Sequence, residues 1–224
     1  MNKLCESISG LFPRSQAQVI GIPPDFNIVE ELENADSVKI AMAFCHLTGW
    51  RRLLPGIKKC KGTIHLITGL YFCQTEPALL REWNRLAVSS HFCPRLMTCE
   101  AGIFHPKVMI VSNPTHRFAL VGSGNLSEGG LRTNVECFVH TTDESHIQQL
   151  VKWFDELFQR AQEFGEDDIR AYEPNYKKVR HAVSKIQKQQ RTVEKTIKNR
   201  QIAFLRIPED GDQRFRAIVI AIPG

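Results

Sequence analysis

The stretch IFHPKVMIV places His105 and Lys107 two residues apart inside an otherwise apolar run. On an extended strand residues i and i+2 share a face, so the imidazole and the ammonium project together while Pro106 and Val108 point the other way. Pro106 has no ladder donor, which places this point at a strand start or on a sheet edge. A buried lysine without a partner is costly, so Lys107 calls for an anion, either a carboxylate or a bound phosphate. A catalytic strand would use the cation to hold such an anion beside the imidazole. The plainer alternative is a core strand with two polar residues.

Two further pieces follow in order. The segment VGSGN offers Gly122 and Gly124 for a tight turn with close backbone approach, and Ser123 and Asn125 as hydrogen-bonding groups. Gly-Ser-Gly-Asn is also a good ordinary turn. Next, TNVECF puts Asn134 and Glu136 on one face of an expected strand, and a glutamate there is a natural partner to fix an imidazole tautomer or to pair with Lys107.

Elements that must position these residues are legible upstream and downstream. SVKIAMAFC and TIHLITGLYF read as buried strands, RLMTC as a short strand, and FHPKVMIVS, RFALVGS and VECFVHTT as three more. Between them GWRRLLPGIKKC reads as a helix disturbed by Pro55. TEPALLREWNRLAVS reads as a helix with Thr75 as its N-cap and Pro77 in its first turn, and SHIQQLVKWFDELFQRAQEF as another. Trp50, Trp83 and Trp153 are expected in helix packing, and His46 in a loop after the first of these strands, within reach of a substrate groove. The alternation predicts an α/β fold with a mixed, mainly parallel sheet flanked by helices, over residues 1–165.

Beyond Gly165 the texture changes. EDDIRAYEPNY reads as a polar linker containing Pro174. Val179, Val183, Ile186, Gln190, Val193 and Ile197 then alternate at spacings of four and three, a heptad seam with one polar core position on a basic helix ending near residue 201. Residues 202–224 read as a β-hairpin turning at Glu209–Asp212, either docked on the main domain or opening a further module.

Bulk composition narrows the setting. The 224 residues carry a net charge of +5. Arg170 to Arg200 holds ten Lys or Arg against two Glu, a local +8 that leaves the rest at −3. Such a segment suits backbone phosphates, although a solvated helix face or a dimer arm explains it too. Apolar runs are too short to span a bilayer, and the first residues lack a signal peptide's apolar middle, so a cytoplasmic protein without a membrane partner is expected. Seven cysteines without C-x-x-C spacing predict reduced thiols, and no carboxylate cluster calls for a metal.

The ordered set H-x-K, G-S-x-N and N-x-E resembles the signature of the phospholipase D superfamily, more closely its nuclease branches, over roughly Asp25 to Trp153. The resemblance implies His105 as nucleophile on phosphorus, Lys107 holding the non-bridging oxygens, Asn125 and Ser123 adding hydrogen bonds, and Glu136 orienting His105. It implies no metal and no other cofactor. The usual aspartate five residues after the lysine is replaced by Ser112, as in branches that work with His-Lys-Asn alone. None of the seven other histidines is followed by lysine two residues later. A single motif copy implies a homodimer that brings two His105 residues across one two-fold axis. The expectation is a metal-independent phosphodiesterase or endonuclease on nucleic acid, DNA rather than RNA, of a restriction or defence type. The alternatives are a lipid phosphodiesterase and a non-catalytic dimeric DNA-binding module.

Overall fold

A computed structural model of the chain describes residues 17–20, 27–88, 91–98 and 102–205. The chain divides into two compact units, Met1–Arg180 and His181–Gly224. Among the described residues of the first, seven strands form one sheet: β1 (Ala17–Ile20), β2 (Ser37–Met42), β3 (Thr63–Gly69), β4 (Phe92–Met97), β5 (Lys107–Ser112), β6 (Arg117–Gly122) and β7 (Phe138–Thr141). Their order is β1-β7-β6-β5-β2-β3-β4, so β5 lies at the centre. The helices are α1 (Ile28–Glu33), α2 (Leu47–Lys59), α3 (Pro77–Leu86), α4 (Glu144–Arg160) and α5 (Glu166–Leu205).

The sheet is mixed, as expected, but not mainly parallel. Only β2–β3 and β3–β4 run parallel, while β2–β5, β5–β6, β6–β7 and β1–β7 are antiparallel. The reason lies in the connections: helices α2 and α3 provide the long crossovers that parallel neighbours require, whereas β5 and β6 are joined by a short turn that reverses the chain. Strand β1 adds to the expected strands.

Both sheet faces are covered, which explains the uninterrupted apolar runs Ile40–Met42 of β2 and Val108–Val111 of β5. One core packs Val38, Ile40, Met109 and Val111 against Trp50, Leu53, Leu79, Leu80 and Trp83 of helices α2 and α3. The other packs Ala41, Val108 and Ile110 against Ile147, Phe154 and Phe158 of α4. Trp50 and Trp83 meet edge to face at 5.6 Å. Strand β4 lies at the sheet edge and carries Pro94 internally, the position at which a missing ladder donor costs least.

Three local expectations are corrected. Helix α2 runs through the exposed Pro55 without interruption. Thr75 does not cap α3; Glu76 holds the N-cap position without a side-chain cap, and its carboxylate instead accepts the Leu47 N–H of α2 at 2.7 Å. Thr75 is buried and joins segments: its hydroxyl donates to the Gly69 carbonyl at 2.7 Å and accepts the Cys45 N–H at 3.3 Å, while its own carbonyl accepts from the Tyr172 hydroxyl at 2.8 Å. The expected linker is helical, because Ile169, Tyr172 and Tyr176 recur at helical spacing and pack on the first core. Arg81 fastens that segment by pairing with Glu166 and Glu173.

In the second unit α5 continues to Leu205, with Ile186, Val193 and Ile197 exposed along one side. Residues 202–205 of the expected hairpin belong to this helix, and the remainder lies outside the described residues. Among the described residues Cys45, Cys60, Cys73, Cys93 and Cys137 form no disulfide. Among the described residues no helix is long and apolar enough to cross a membrane.

Candidate active site

Strand β5 begins at Lys107, so Pro106 sits just ahead of a strand start in mid-sheet, and its carbonyl accepts the Ala43 N–H that extends β2. His105 therefore stands at the rim of the central strand. Residue parity puts His105, Lys107, Met109 and Val111 on one face, so the apolar run below anchors the polar pair above. Lys107 is 8% exposed, whereas His105 is open to solvent.

The Lys107 ammonium lies 2.8 Å from His105 Nδ1, 3.2 Å from Nε2 and 3.0 Å from the His105 carbonyl oxygen. An ammonium has donors only, so the ring atom it touches offers a lone pair. Burial pushes the Lys107 pKa down, and the charge of Glu136 works against that shift. Phe44, beyond the end of β2, presents its ring near that of His105 at 6.5 Å between centroids, and stacks on His46 at 5.9 Å.

Strands β6 and β7 bring the remaining residues to the same rim, since Val121 pairs with Val108 and Gly122 with Phe138. The Ser123 hydroxyl donates to the Glu136 carboxylate and accepts the Cys137 N–H at 3.1 Å; the Ser123 N–H donates to the Cys137 carbonyl at 3.0 Å. Asn134 Nδ2 donates to the other Glu136 oxygen at 3.1 Å. Asn134 and Glu136 precede β7 rather than lying on the expected strand face.

Glu136 thus takes its hydrogen bonds from Ser123 and Asn134, not from His105, and reaches the pair through its charge on Lys107. The Asn125 side-chain oxygen is buried without a hydrogen-bond partner. Gly124 has no unusual backbone angle. A Cβ there would come within 2.4 Å of the Gly130 carbonyl and 2.5 Å of the Phe138 ring, so the loop needs glycine to pack on its own chain.

Ser112 is at the opposite end of β5, five steps of about 3.3 Å from Lys107, or roughly 16 Å away. There its hydroxyl accepts from Arg117 at 3.2 Å and its carbonyl accepts the Asp36 N–H at 2.8 Å. The replaced aspartate position is outside the His105 cluster. Among the described residues no group of three or more His, Cys, Asp or Glu gathers in a metal-holding arrangement.

Residues missed in the sequence are those that reach the rim from other strands. Phe44 and the Tyr71–Cys73 turn after β3 carry no motif; only the fold brings the Phe44 ring near His105 and sets the turn at the same sheet rim.

A mixed sheet with His105 and Lys107 at the head of its central strand, and a Ser-Gly-Asn loop beside them, defines a phospholipase D-like domain. Residues 28–158 match the family model described as "Cardiolipin synthase, PLD-like domain", and the chain belongs to that family. No curated protein sequence matches the chain. Among solved structures it is similar to NucT from Helicobacter pylori, with TM-score 0.53 and 17% identity over 66% of this chain and 98% of that one. Similarity to Nuc of Salmonella typhimurium, a phospholipase D family member, has TM-score 0.50 and 18% identity over 66% and 97%. For phosphatidylserine synthase of Haemophilus influenzae the values are 0.51 and 12% over 74% and 46%.

Proposed function

We propose that this chain is a metal-independent phosphodiesterase cutting nucleic acid, DNA in preference to RNA, through a covalent phosphohistidine at His105. The observation that carries this is the exposed His105 ring held against the buried Lys107 ammonium at the head of the central strand. Membership of the family and the shared fold of Nuc and NucT support it.

In the first step a His105 ring nitrogen attacks phosphorus, a P–N bond forms and one P–O bond breaks. Lys107 shifts its donors from the ring to the non-bridging oxygens, and the Asn125 Nδ2 group donates a further hydrogen bond to them. The leaving oxygen takes a proton from a second histidine. That histidine then accepts a proton from water, whose oxygen attacks phosphorus and breaks the P–N bond. The motif occurs once, so the second group is His105 of a second copy in a homodimer. Glu136 steadies Lys107 and fixes the Ser123 loop. A role in cytoplasmic restriction or defence fits an enzyme of this class.

On α5 the seam residues Ile186, Val193 and Ile197 are exposed, while Lys185, Lys188, Arg191, Lys195 and Lys198 occupy positions away from the seam. The pattern supports pairing with a second copy while the cations stay free for phosphates. The same basic charge favours nucleic acid over the lipid diesters that the phosphatidylserine synthase likeness raises. Purified protein is expected to cut DNA in EDTA and to lose this with His105→Ala; a strict requirement for a divalent metal would overturn the mechanism. Diester binding without turnover, unchanged in His105→Ala, would make the chain a binding module.

A further inference from the structure

The turn after β3 is strained and apolar at its surface. Phe72 (φ 57°, ψ 12°) and Cys73 (φ 48°) adopt left-handed backbone conformations, which are strained for side chains with a Cβ. Two aromatic rings stand at the surface of this turn: Tyr71 is 49% exposed and Phe72 60%, with the rings edge to face at 4.2 Å. An exposed aromatic pair gives folding little in return, so its use lies with a ligand.

The turn is tied to the active site. Gly69 N–H donates to the Ala43 carbonyl, and Ala43 N–H donates to the Pro106 carbonyl, so the tops of β3, β2 and β5 are bonded in sequence. Neighbouring strands lie about 4.8 Å apart, which sets the turn roughly 10 Å from His105. The His46 ring hydrogen-bonds the Gln74 backbone and stacks on Phe44, whose ring in turn approaches His105.

We infer that Tyr71 and Phe72 are a stacking ledge for the bases of a single-stranded nucleic acid whose backbone occupies the His105 site. The inference rests on the nuclease reading and adds strand form to it. Bases in a duplex are stacked inward and cannot reach a ledge beside the phosphate, whereas a single strand presents its bases to any aromatic face. Stacking of this kind tolerates every base, so little sequence preference follows from it.

The test measures binding to the full chain carrying His105→Ala, so that substrate is not consumed. A labelled oligothymidylate and an abasic oligomer of equal length are compared by fluorescence anisotropy at one salt concentration. Adding Phe72→Ala is expected to raise the Kd for oligothymidylate about 10- to 100-fold, the effect of losing a stacked base, and to close most of the gap to the abasic oligomer. Phe72→Trp should restore tight binding. Equal losses on both oligomers, or no loss on either, would overturn the ledge. So would Phe72→Ala weakening attachment to anionic phospholipid vesicles with oligothymidylate binding unchanged, which would assign the turn to a membrane surface. His105-dependent DNA cutting in EDTA by the otherwise native chain keeps the nuclease reading standing even when the ledge fails. Loss of both overturns the two together.

Discussion

The Lys107 ammonium sits 2.8 Å from His105 Nδ1 and 3.0 Å from the His105 carbonyl, buried while its partner ring is open to solvent. A flexible side chain is thereby held by its own β-strand start. The cation has the imidazole and a carbonyl as partners, and in the proposed mechanism it turns to phosphate oxygens. Replacing Lys107 with Met should lower kcat/KM on DNA by about 10²- to 10³-fold, the usual effect of removing one stabilising donor. The same substitution should leave the melting temperature unchanged or raise it, because a desolvated cation is replaced by an apolar chain of similar length. Steady-state kinetics with a thermal melt separates the two effects.

The pH dependence follows from the same burial. Lys107 titrates below its usual value because burial disfavours its charge, and Glu136 opposes that shift. Below the folded pKa the ammonium is present in both folded and unfolded chains and the burial penalty is in force. Between the folded and unfolded pKa values the unfolded chain binds the extra proton, so stability rises with pH across that window. Activity runs the other way: kcat/KM should fall on the alkaline side earlier than an ordinary lysine would allow. Glu136→Gln should move that limb to still lower pH. A limb that stays in place in a pH–rate profile of the variant would separate Glu136 from Lys107.

Ser112 should be dispensable for chemistry. It lies roughly 16 Å along β5 from Lys107 and hydrogen-bonds Arg117, which also pairs with Glu144. Ser112→Ala is expected to leave kcat/KM within about twofold and to cost about 1 kcal/mol or less of stability, the value of one partly buried hydrogen bond. A hundredfold loss of activity in the same assay would return this position to the catalytic set.

Thr75 should matter for the fold rather than for the reaction. Its hydroxyl connects Gly69 and Cys45, and its carbonyl holds Tyr172 of α5. Thr75→Val keeps the shape and leaves buried backbone groups unpaired, at a cost of about 1–3 kcal/mol. For a chain of this size that corresponds to a fall in melting temperature of roughly 2–12 °C. Calorimetry of the variant, beside Tyr172→Phe, measures how far the start of α5 depends on this junction.

The two-residue spacing of His105 and Lys107, the order of the Ser123–Asn125 loop and Glu136 after them, and the alternation of strands and helices were all legible in the sequence. Each is local: face sharing on a strand needs only a period of two, and an apolar run needs only burial. Strand direction was not legible, because β5 and β6 reverse through a turn whose consequence for the whole sheet appears only once β2 is seen between β3 and β5. The helix through Pro174 was hidden for the same kind of reason. Its polar composition reads as linker until Ile169 and Tyr172 find the core and Arg81 finds Glu166 and Glu173.

The sequence by itself determined which residues share the rim of one strand and what chemistry their types permit. Tertiary structure alone decided that Glu136 binds Ser123 and Asn134 rather than His105, that Ser112 is remote, that Phe44 approaches the His105 ring, and that the Tyr71–Cys73 turn shares its sheet rim. Those relations join strands that are distant in the chain, and no local periodicity encodes which strand becomes whose neighbour.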